Sequence, residues 1–332
     1  MRLGVTLGYW MPDPWDPTEL VLEAERLGYD SAWTAEAYGS DVFSPLCWIG
    51  ARTSRIKLGT AVMQISARTP ACTAMTVATI DHLSGGRLLL GIGVSGPQVV
   101  EGWYGQPFPR PLARTREFVS LLRAMLRREG PLTFAGEHYQ LPHPGGARLG
   151  KPLKLIIRPL RREIPIYLGA EGPKNVALAA EICDGWLPLF YSPFRPAIYA
   201  ESLRQAKPGF EIAATVQVVV DADLGAALLP VKWMLAFYIG GMGATRRNFH
   251  LNLIGRMGFE AEARRVQQLF LEGKRAEAAA AIPDQLADEI ALVGPPARIR
   301  ERLAAWKESP VTTLVAGTRD LATLRLLAET LL

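Results

Sequence analysis

The sequence predicts an α/β fold, a (β/α)8 TIM barrel with insertions, and three observations point to it. Apolar runs of strand length alternate with amphipathic helical segments along most of the 332 residues, which favours a parallel sheet with crossover helices. An uninterrupted apolar run, Leu88 to Ile92, follows Gly85-Gly86 and is typical of a strand buried on both faces. The length fits one barrel of about 250 residues with elaborations.

The first half of the chain supplies four of eight predicted strands. The first helix has Asp16 as a good N-cap, Pro17 in its first turn and Glu19 to complete a capping box, and Gly28 ends it. The predicted strands are 3–8, 30–35, 56–63 and 87–94, and two further helices are predicted over 70–83 and 114–128.

The second half of the chain supplies the other four predicted strands and both predicted insertions. Prolines and paired glycines over 130–163 interrupt the alternation and predict an insertion. Residues 224–291 are predicted to be helical, without a strand, and form a second insertion. Nothing resembles an interdomain linker, so we expect one domain over 1–332. The remaining strands are predicted at 164–169, 184–189, 211–221 and 311–316, and helices begin at Pro173, after Gly294 and at Asp320.

Composition narrows the functional classes. The formal charge of +5 is modest, and no basic stripe interleaved with aromatic residues suggests nucleic acid. The four histidines show no metal-ligand spacing, so no metal site is predicted. No apolar run approaches the roughly 20 residues that span a bilayer. Three widely spaced cysteines, Cys47, Cys72 and Cys183, predict reduced and buried thiols in a cytoplasmic protein.

The carboxyl ends of the predicted strands define a candidate site. Ionisable groups are few there and aromatic groups many, which suits a large planar ligand bound with a small-molecule substrate. Gly93 and Val94 are predicted to contact the ligand, because glycine allows close approach to the backbone. The helix start at Gly172-Pro173 suits a phosphate, although the same pattern also begins helices that bind nothing.

Four segments in order resemble the bacterial-luciferase-like superfamily, in the branch that uses the deazaflavin coenzyme F420. They are GYDSAWTAEAYGSD, RIKLGTAVMQISARTP, DHLSGGRLLLGIGVSGPQVVEGWYG and IPIYLGAEGPKNVALAAEICDGWLP, which cover most of residues 1–190. The resemblance implies a barrel that binds a flavin-like ring at the carboxyl ends of its strands. It also implies a homodimer.

The resemblance assigns several residues. It implies a non-proline cis peptide at Ala61-Val62, behind the ring, and it gives the loop 170–173 and Asn175 the cofactor's phosphate and ring edge. The predicted cofactor-binding set is therefore Glu36, Ala61, Val62, Gly93, Val94, Ala170, Glu171, Gly172, Pro173 and Asn175.

The chain also departs from that family. Related dehydrogenases of alcohols and sugar phosphates carry an Asp-His pair after strand two, whereas the matching residues here are Glu36 and Ala37. Alanine cannot move a proton, and no second acid follows strand four, which argues against alcohol or sugar-phosphate oxidation by that route. Glu36 and Tyr38 are the predicted catalytic residues, with a salt bridge to a neighbouring arginine as the alternative role of Glu36. Tyr9, Gln64 and Trp103 are the predicted substrate-binding residues, although Trp103 can equally be a packing residue.

The leading functional hypothesis is an F420-dependent oxidoreductase that transfers a hydride between reduced deazaflavin and an enone, imine or carbonyl compound. A separate reductase could regenerate the cofactor. The alternatives are an FMN-dependent monooxygenase of the same superfamily and a flavin-binding protein without turnover. A hydrolase using Glu36 and Glu171 as a carboxylate pair is the weakest alternative.

Overall fold

The computed structural model describes residues 1–242 and 248–332. The strands are β1 (Arg2–Gly8), β2 (Ser31–Thr34), β3 (Lys57–Thr60), β4 (Met63–Gln64), β5 (Leu88–Gly93), β6 (Phe134–Ala135), β7 (Gln140–Leu141), β8 (Ile166–Gly169), β9 (Gly185–Leu187), β10 (Glu211–Val220), β11 (Ala291–Gly294) and β12 (Thr313–Gly317).

The helices surround these strands and connect them. They are α1 (Thr18–Leu27), α2 (Phe43–Gly50), α3 (Pro70–Leu83), α4 (Pro97–Gly102), α5 (Pro111–Arg127), α6 (Pro173–Ile182), α7 (Ala197–Leu203), α8 (Leu224–Gly240), α9 (Phe249–Arg256), α10 (Glu260–Leu271), α11 (Arg275–Ala280), α12 (Asp284–Glu289), α13 (Pro296–Glu308) and α14 (Leu321–Leu331).

Within the described residues, eight parallel strands close into a barrel in the order β1, β2, β3, β5, β8, β9, β10 and β12, and β12 pairs with β1. The predicted (β/α)8 barrel is therefore confirmed. The strand after α2 is interrupted, because β3 ends at Thr60 and the chain re-forms a two-residue strand, β4, that pairs with β5.

Alternate residues of the barrel strands face its interior and form a separate apolar layer, which consists of Trp33, Leu89, Tyr167, Leu187, Ala213 and Val315. The indole of Trp33 meets the ring of Tyr167 edge-on at 5.5 Å. Glycines on neighbouring strands make room for both rings: a Cβ on Gly59 would lie 2.2 Å from Trp33, and one on Gly185 would lie 2.4 Å from Tyr167. The interior is thus filled by side chains.

The amino-terminal end of the barrel is closed by paired charges. Arg2 Nη2 lies 2.8 Å from Glu211 Oε2, and the hydroxyl of Tyr167 donates to the same carboxylate. Lys57 Nζ donates to Asp30 Oδ1 at 2.8 Å. Each of these polar groups therefore has a partner at this end.

The two insertions differ in structure. Residues 130–163 contain the antiparallel pair β6–β7, whose turn is held by the carboxylate of Glu117 on α5. The second insertion contains α8 to α12. The sequence predicts no strand over 224–291. This prediction is wrong at its last residue, because the unpredicted strand β11 begins at Ala291 and pairs in parallel with residues 217–220 of β10. This strand is only four residues long, too short to be separated from a helix by its apolar pattern.

Three local predictions also need correction. Asp16 does not cap α1, because the helix begins at Thr18 and Asp16 Oδ1 accepts the Thr18 amide at 3.0 Å in the turn before it. The third predicted helix, expected over 114–128, is α5, and it begins at Pro111. Helix α2 was not predicted. Cys47 and Cys72 are exposed, so only Cys183 is the buried thiol that the sequence predicts; all three are free.

No helix among the described residues is both long and apolar enough to cross a membrane.

Candidate active site

The carboxyl ends of the barrel strands surround an opening, here called the mouth, and its floor is built by two strand ends and one peptide bond. Ala61-Val62, between β3 and β4, is a non-proline cis peptide, as the family resemblance implied. The Val62 side chain lies against two glycines. A Cβ on Gly93 would lie 2.5 Å from Val62 Cγ2, and one on Gly169 would lie 2.9 Å from Cγ1. Ala61, Val62, Gly93 and Gly169 are called the floor below.

The floor rests on the filled interior, because Ala61 and Val62 pack on the apolar layer that contains Trp33 and Leu187. The Ala61 amide donates to Thr34 O at 2.6 Å and ties the floor to β2. The structure thus brings together three predicted residues, Ala61, Val62 and Gly93. It adds Gly169, which the sequence analysis missed although the residue ends a predicted strand.

Glu36 follows β2 and is buried, and its carboxylate is fully engaged. Arg68 Nη1 donates to Oε1 at 2.8 Å and to Oε2 at 3.0 Å. The amides of Gln64 and Val42 donate to the same group at 2.8 and 3.2 Å. The structure therefore shows the salt bridge to a neighbouring arginine, and these bonds fasten the loop after β2 to β4. A catalytic role for Glu36 stays a prediction.

Gln64 is positioned by this arrangement and leaves one atom unsatisfied. Its side-chain Nε2 donates to Glu36 O at 3.0 Å. Its Oε1 is buried and accepts no hydrogen bond from the described part of the chain, and the residue is only 3% exposed. A buried acceptor without a donor costs about 1–3 kcal/mol, so a ligand that donates to it would be stabilised.

Tyrosines form one side of the mouth. Tyr9 follows β1 and lies near Tyr238 of α8, and burial raises the pKa of both hydroxyls. Tyr38 lies beside Tyr9 and is exposed. Tyr9, Tyr38 and Tyr238 are called the tyrosine rim below. The rim includes one predicted catalytic residue and one predicted substrate-binding residue, and it adds Tyr238 from the second insertion.

The loop between β8 and α6 provides the opposite side. The carbonyl of Ala170 accepts a hydrogen bond from Trp186 Nε1 at 2.7 Å, which fixes the start of the loop. Gly172 is the N-cap of the ten-residue helix α6, and Pro173 occupies its first turn. The amides of Asn175 and Val176 both donate to Gly172 O at 2.9 Å.

Two groups of this helix start are not satisfied within the described residues: the amide of Lys174 has no acceptor, and the buried Asn175 Oδ1 has no donor. The free amide and the positive end of the helix dipole are features that favour an anion. The predicted loop residues, 170 to 173 and Asn175, therefore lie together at the mouth.

Helix α9 approaches this loop from the second insertion. Arg256 Nη2 donates to the Glu171 carbonyl at 2.6 Å, and His250 Nδ1 lies 2.7 Å from Glu171 Oε1. Sequence reasoning missed both residues, because they lie far along the chain in a helical segment with no local motif. Only the pattern of contacts across the fold reveals them.

Two predicted residues lie farther out. Trp103 follows α4 and is 66% exposed, whereas its neighbour Tyr104 donates its hydroxyl to Ala37 O at 3.1 Å and anchors this loop to β2. Substrate binding by Trp103 stays a prediction. Val94 is half-buried and packs on the main core, and Ser95 after it adopts a left-handed backbone with φ of 59°.

A groove of about 630 Å³ lies outside the barrel, between α5, α6 and α7. It is open to solvent, and its central charges are already paired, since Arg116 makes two hydrogen bonds to Glu181. The convergence of unpaired polar atoms is at the mouth, so we assign the site there.

A closed parallel barrel with a glycine-lined floor at its mouth, and a helix start beside it, defines a (β/α)8-barrel enzyme with a site for a planar, phosphorylated ligand. The family model of the luciferase-like monooxygenases matches residues 6–313. The chain belongs to that family.

Named relatives include a Mycobacterium tuberculosis protein that carries the provisional name coenzyme F420-dependent oxidoreductase. It is 53% identical, over 98% of this chain and 99% of the relative. The 5,10-methylenetetrahydromethanopterin reductase of Archaeoglobus fulgidus is 30% identical over 89% of this chain and 87% of its own length. Among solved structures, the coenzyme F420-dependent tetrahydromethanopterin reductase of Methanopyrus kandleri has a TM-score of 0.78 at 22% identity, with 99% of this chain and 97% of that chain covered.

Proposed function

We propose that the protein is an F420-dependent oxidoreductase that transfers a hydride between the reduced deazaflavin and a small organic substrate such as an enone, an imine or a carbonyl compound. The observation that carries the proposal is the floor, where two glycines seat Val62 against the strand ends. A relative named for coenzyme F420, 53% identical over nearly the full length, supports the choice of cofactor.

The residues present fit such a cofactor. The floor has no side chain larger than valine, so a flat ring can approach the backbone there. Gln64 Oε1 offers a buried acceptor to a ring N–H or hydroxyl, and the α6 start offers the free Lys174 amide to a phosphate. These three features would hold the ring face, a ring edge and the phosphorylated stalk.

When bound, coenzyme F420 supplies the hydride, and the protein contributes position and surroundings. The Glu36–Arg68 pair fixes the Gln64 backbone and side chain, so the Oε1 acceptor keeps one orientation. The tyrosine rim limits the access of water from the β1 side. Glu36 already accepts four hydrogen bonds, and Ala37 carries no ionisable group. Another group must therefore move the proton that accompanies the hydride.

A binding titration tests the proposal. Addition of the protein to oxidised F420 should change its visible fluorescence in a saturable way, and FMN at equal concentration should not compete. A flat titration with F420, together with tight binding of FMN, would favour a flavin monooxygenase in keeping with the family's name.

A second measurement separates an enzyme from a carrier protein. Reduced F420 on the protein is mixed rapidly with a panel of enones, and its reoxidation is followed by absorbance. We expect a rate that rises with enone concentration, whereas a binding protein without turnover would show a rate independent of enone.

A further inference from the structure

Glu171 and His250 form a pair that no sequence pattern predicts. Glu171 lies in the loop after β8, and His250 lies on the first turn of α9 in the second insertion. Their contact, 2.7 Å between Nδ1 and Oε1, is made by two largely buried side chains, 16% and 10% exposed. The carboxylate oxygen lies off the direction of a ring N–H, so the contact suits an ion pair better than an aligned hydrogen bond.

The groups around the imidazole are mostly aromatic. The His250 ring meets Tyr238 edge-on at 4.9 Å and Phe190, just after β9, at 5.9 Å. Tyr238 in turn lies near Tyr9 of the rim. These contacts place the imidazole at the mouth, between the carboxyl ends of β1, β8 and β9.

The charged and titratable groups near the pair come from four elements. Arg256, on the same helix as His250, donates to the Glu171 backbone, and Tyr199 of α7 lies close enough to Glu171 and Arg256 to feel their charges. Tyr238 of α8 and Tyr9 after β1 complete the set. Glu171 is thus the carboxylate that contacts the imidazole among the described residues, and its Oε2 is buried without a donor there.

We propose that His250 is the proton-transfer group of the mouth and that Glu171 is its positioning residue. This inference rests on the proposed function and deepens it. The His250 side chain is 16% exposed, and its ring packs edge-on against Tyr238 of the rim. One ring nitrogen, Nδ1, lies 2.7 Å from Glu171 Oε1.

In the proposed step, the hydride reaches the carbon of an enone, imine or carbonyl group, and the heteroatom or α-carbon gains an electron pair. The imidazolium of His250 gives its Nε2 proton to that pair, the N–H bond breaks, and its electrons stay on the ring. Glu171 stabilises the imidazolium before the transfer, and the neutral imidazole regains a proton from water afterwards.

The other ionisable groups of the mouth are less suited to this step. Glu36 is occupied by Arg68 and two amides. Burial raises the pKa of the Tyr9 and Tyr238 hydroxyls, which makes both weaker acids. An imidazole side chain can give and take a proton near neutral pH.

The test compares His250→Gln and Glu171→Gln with wild type and with His143→Gln, a control on the exposed first insertion. Enone-dependent reoxidation of reduced F420 should fall about 100-fold in H250Q, because general acid catalysis typically contributes that much or more. The affinity for F420 should change less than about threefold. In E171Q the rate should fall about 10-fold at unchanged affinity for F420, because the imidazole loses the side chain that positions it.

A readout without cofactor accompanies the kinetics. The ¹³C–¹H signal of the His250 ring, assigned by its loss in H250Q, is recorded in the protein as purified, and its chemical shift should differ between E171Q and wild type at the same pH. An unchanged chemical shift would overturn the pair, and it does so even where F420 fails to bind and the proposed function is lost. A full rate in H250Q, or a loss of F420 affinity that accounts for the loss of rate, would overturn the proton-transfer role.

Discussion

The two ends of the barrel differ in whether their polar side chains have hydrogen-bonding partners. At the amino-terminal end, Arg2, Glu211 and the Tyr167 hydroxyl satisfy one another, and Lys57 is paired with Asp30. At the mouth, three buried acceptors have no donor within the described residues: Gln64 Oε1, Glu171 Oε2 and Asn175 Oδ1.

The difference favours the mouth as the place where a ligand binds. A buried acceptor without a donor costs about 1–3 kcal/mol, so a fold keeps one only where something else compensates. The paired end stabilises the barrel, whereas the unpaired end is complementary to a ligand that donates hydrogen bonds. This matches the general division of labour in such barrels, in which chemistry is confined to the carboxyl ends of the strands.

The largest expected effect is at the floor. A Cβ at residue 93 would lie 2.5 Å from Val62, so the side chain introduced by Gly93→Val must turn into the mouth. We expect the affinity for F420 to fall about 100-fold, which corresponds to about 2.7 kcal/mol. Gly130→Val is the matched control, because nothing lies within 4 Å of its Cβ position and the residue is exposed in the first insertion. Equal affinities for both variants in the fluorescence titration would show that the floor does not contact the cofactor.

The second effect is a loss of stability from the barrel interior, which lies between the two ends. Gly59→Ala drives a methyl group to 2.2 Å from the buried Trp33 indole, and such overpacking costs about 2 kcal/mol. Chemical denaturation measures the loss in the free energy of unfolding. Gly102→Ala, which meets nothing within 4 Å, should differ from wild type by less than about 0.5 kcal/mol. A Gly59→Ala protein as stable as this control would contradict the packing described for the interior.

A smaller effect is expected at the paired end. Glu211→Gln removes the charge that Arg2 contacts at 2.8 Å, on side chains that are about one-third exposed. The free energy of unfolding should fall by about 1 kcal/mol, since solvent screens part of the interaction. The affinity for F420 should not change. A loss of affinity without a loss of stability would reverse the roles assigned to the two ends.

The last prediction concerns the thiols and requires no substitution. Cys47 and Cys72 are exposed and should react with a disulfide reagent in the folded protein, whereas Cys183 should react only after unfolding. Burial raises the pKa of Cys183 to about 12 from 9.0. Because the unfolded thiol ionises first, stability should decline as pH rises from 9 toward 12. Three thiols reacting at one rate in the folded protein would contradict this burial.

Much of the fold was predictable because its signals are local. The helix 70–83 was predicted with its observed bounds, since Pro70 suits a first turn and Gly85-Gly86 follow its end. The strand β11 was missed because four apolar residues carry no period. Asp16 was misread as a cap because the sequence does not show that Thr18 starts the helix.

The site was predictable only in part. Resemblance to a family placed Ala61 and Val62, and glycine at a strand end placed Gly93. No local rule connects His250 or Tyr238 to the loop after β8, because they meet it only after α8 and α9 fold back over the mouth. Contacts between distant parts of the chain are set by tertiary packing, which one sequence read alone does not display.

The pairing of β11 with the last four residues of β10 means that the second insertion departs from the barrel and returns to it at adjacent backbones. The described helices α8 to α12 are therefore attached to the barrel at both ends through one short ladder. We expect substitutions within these helices to alter the mouth more than the barrel strands beneath it.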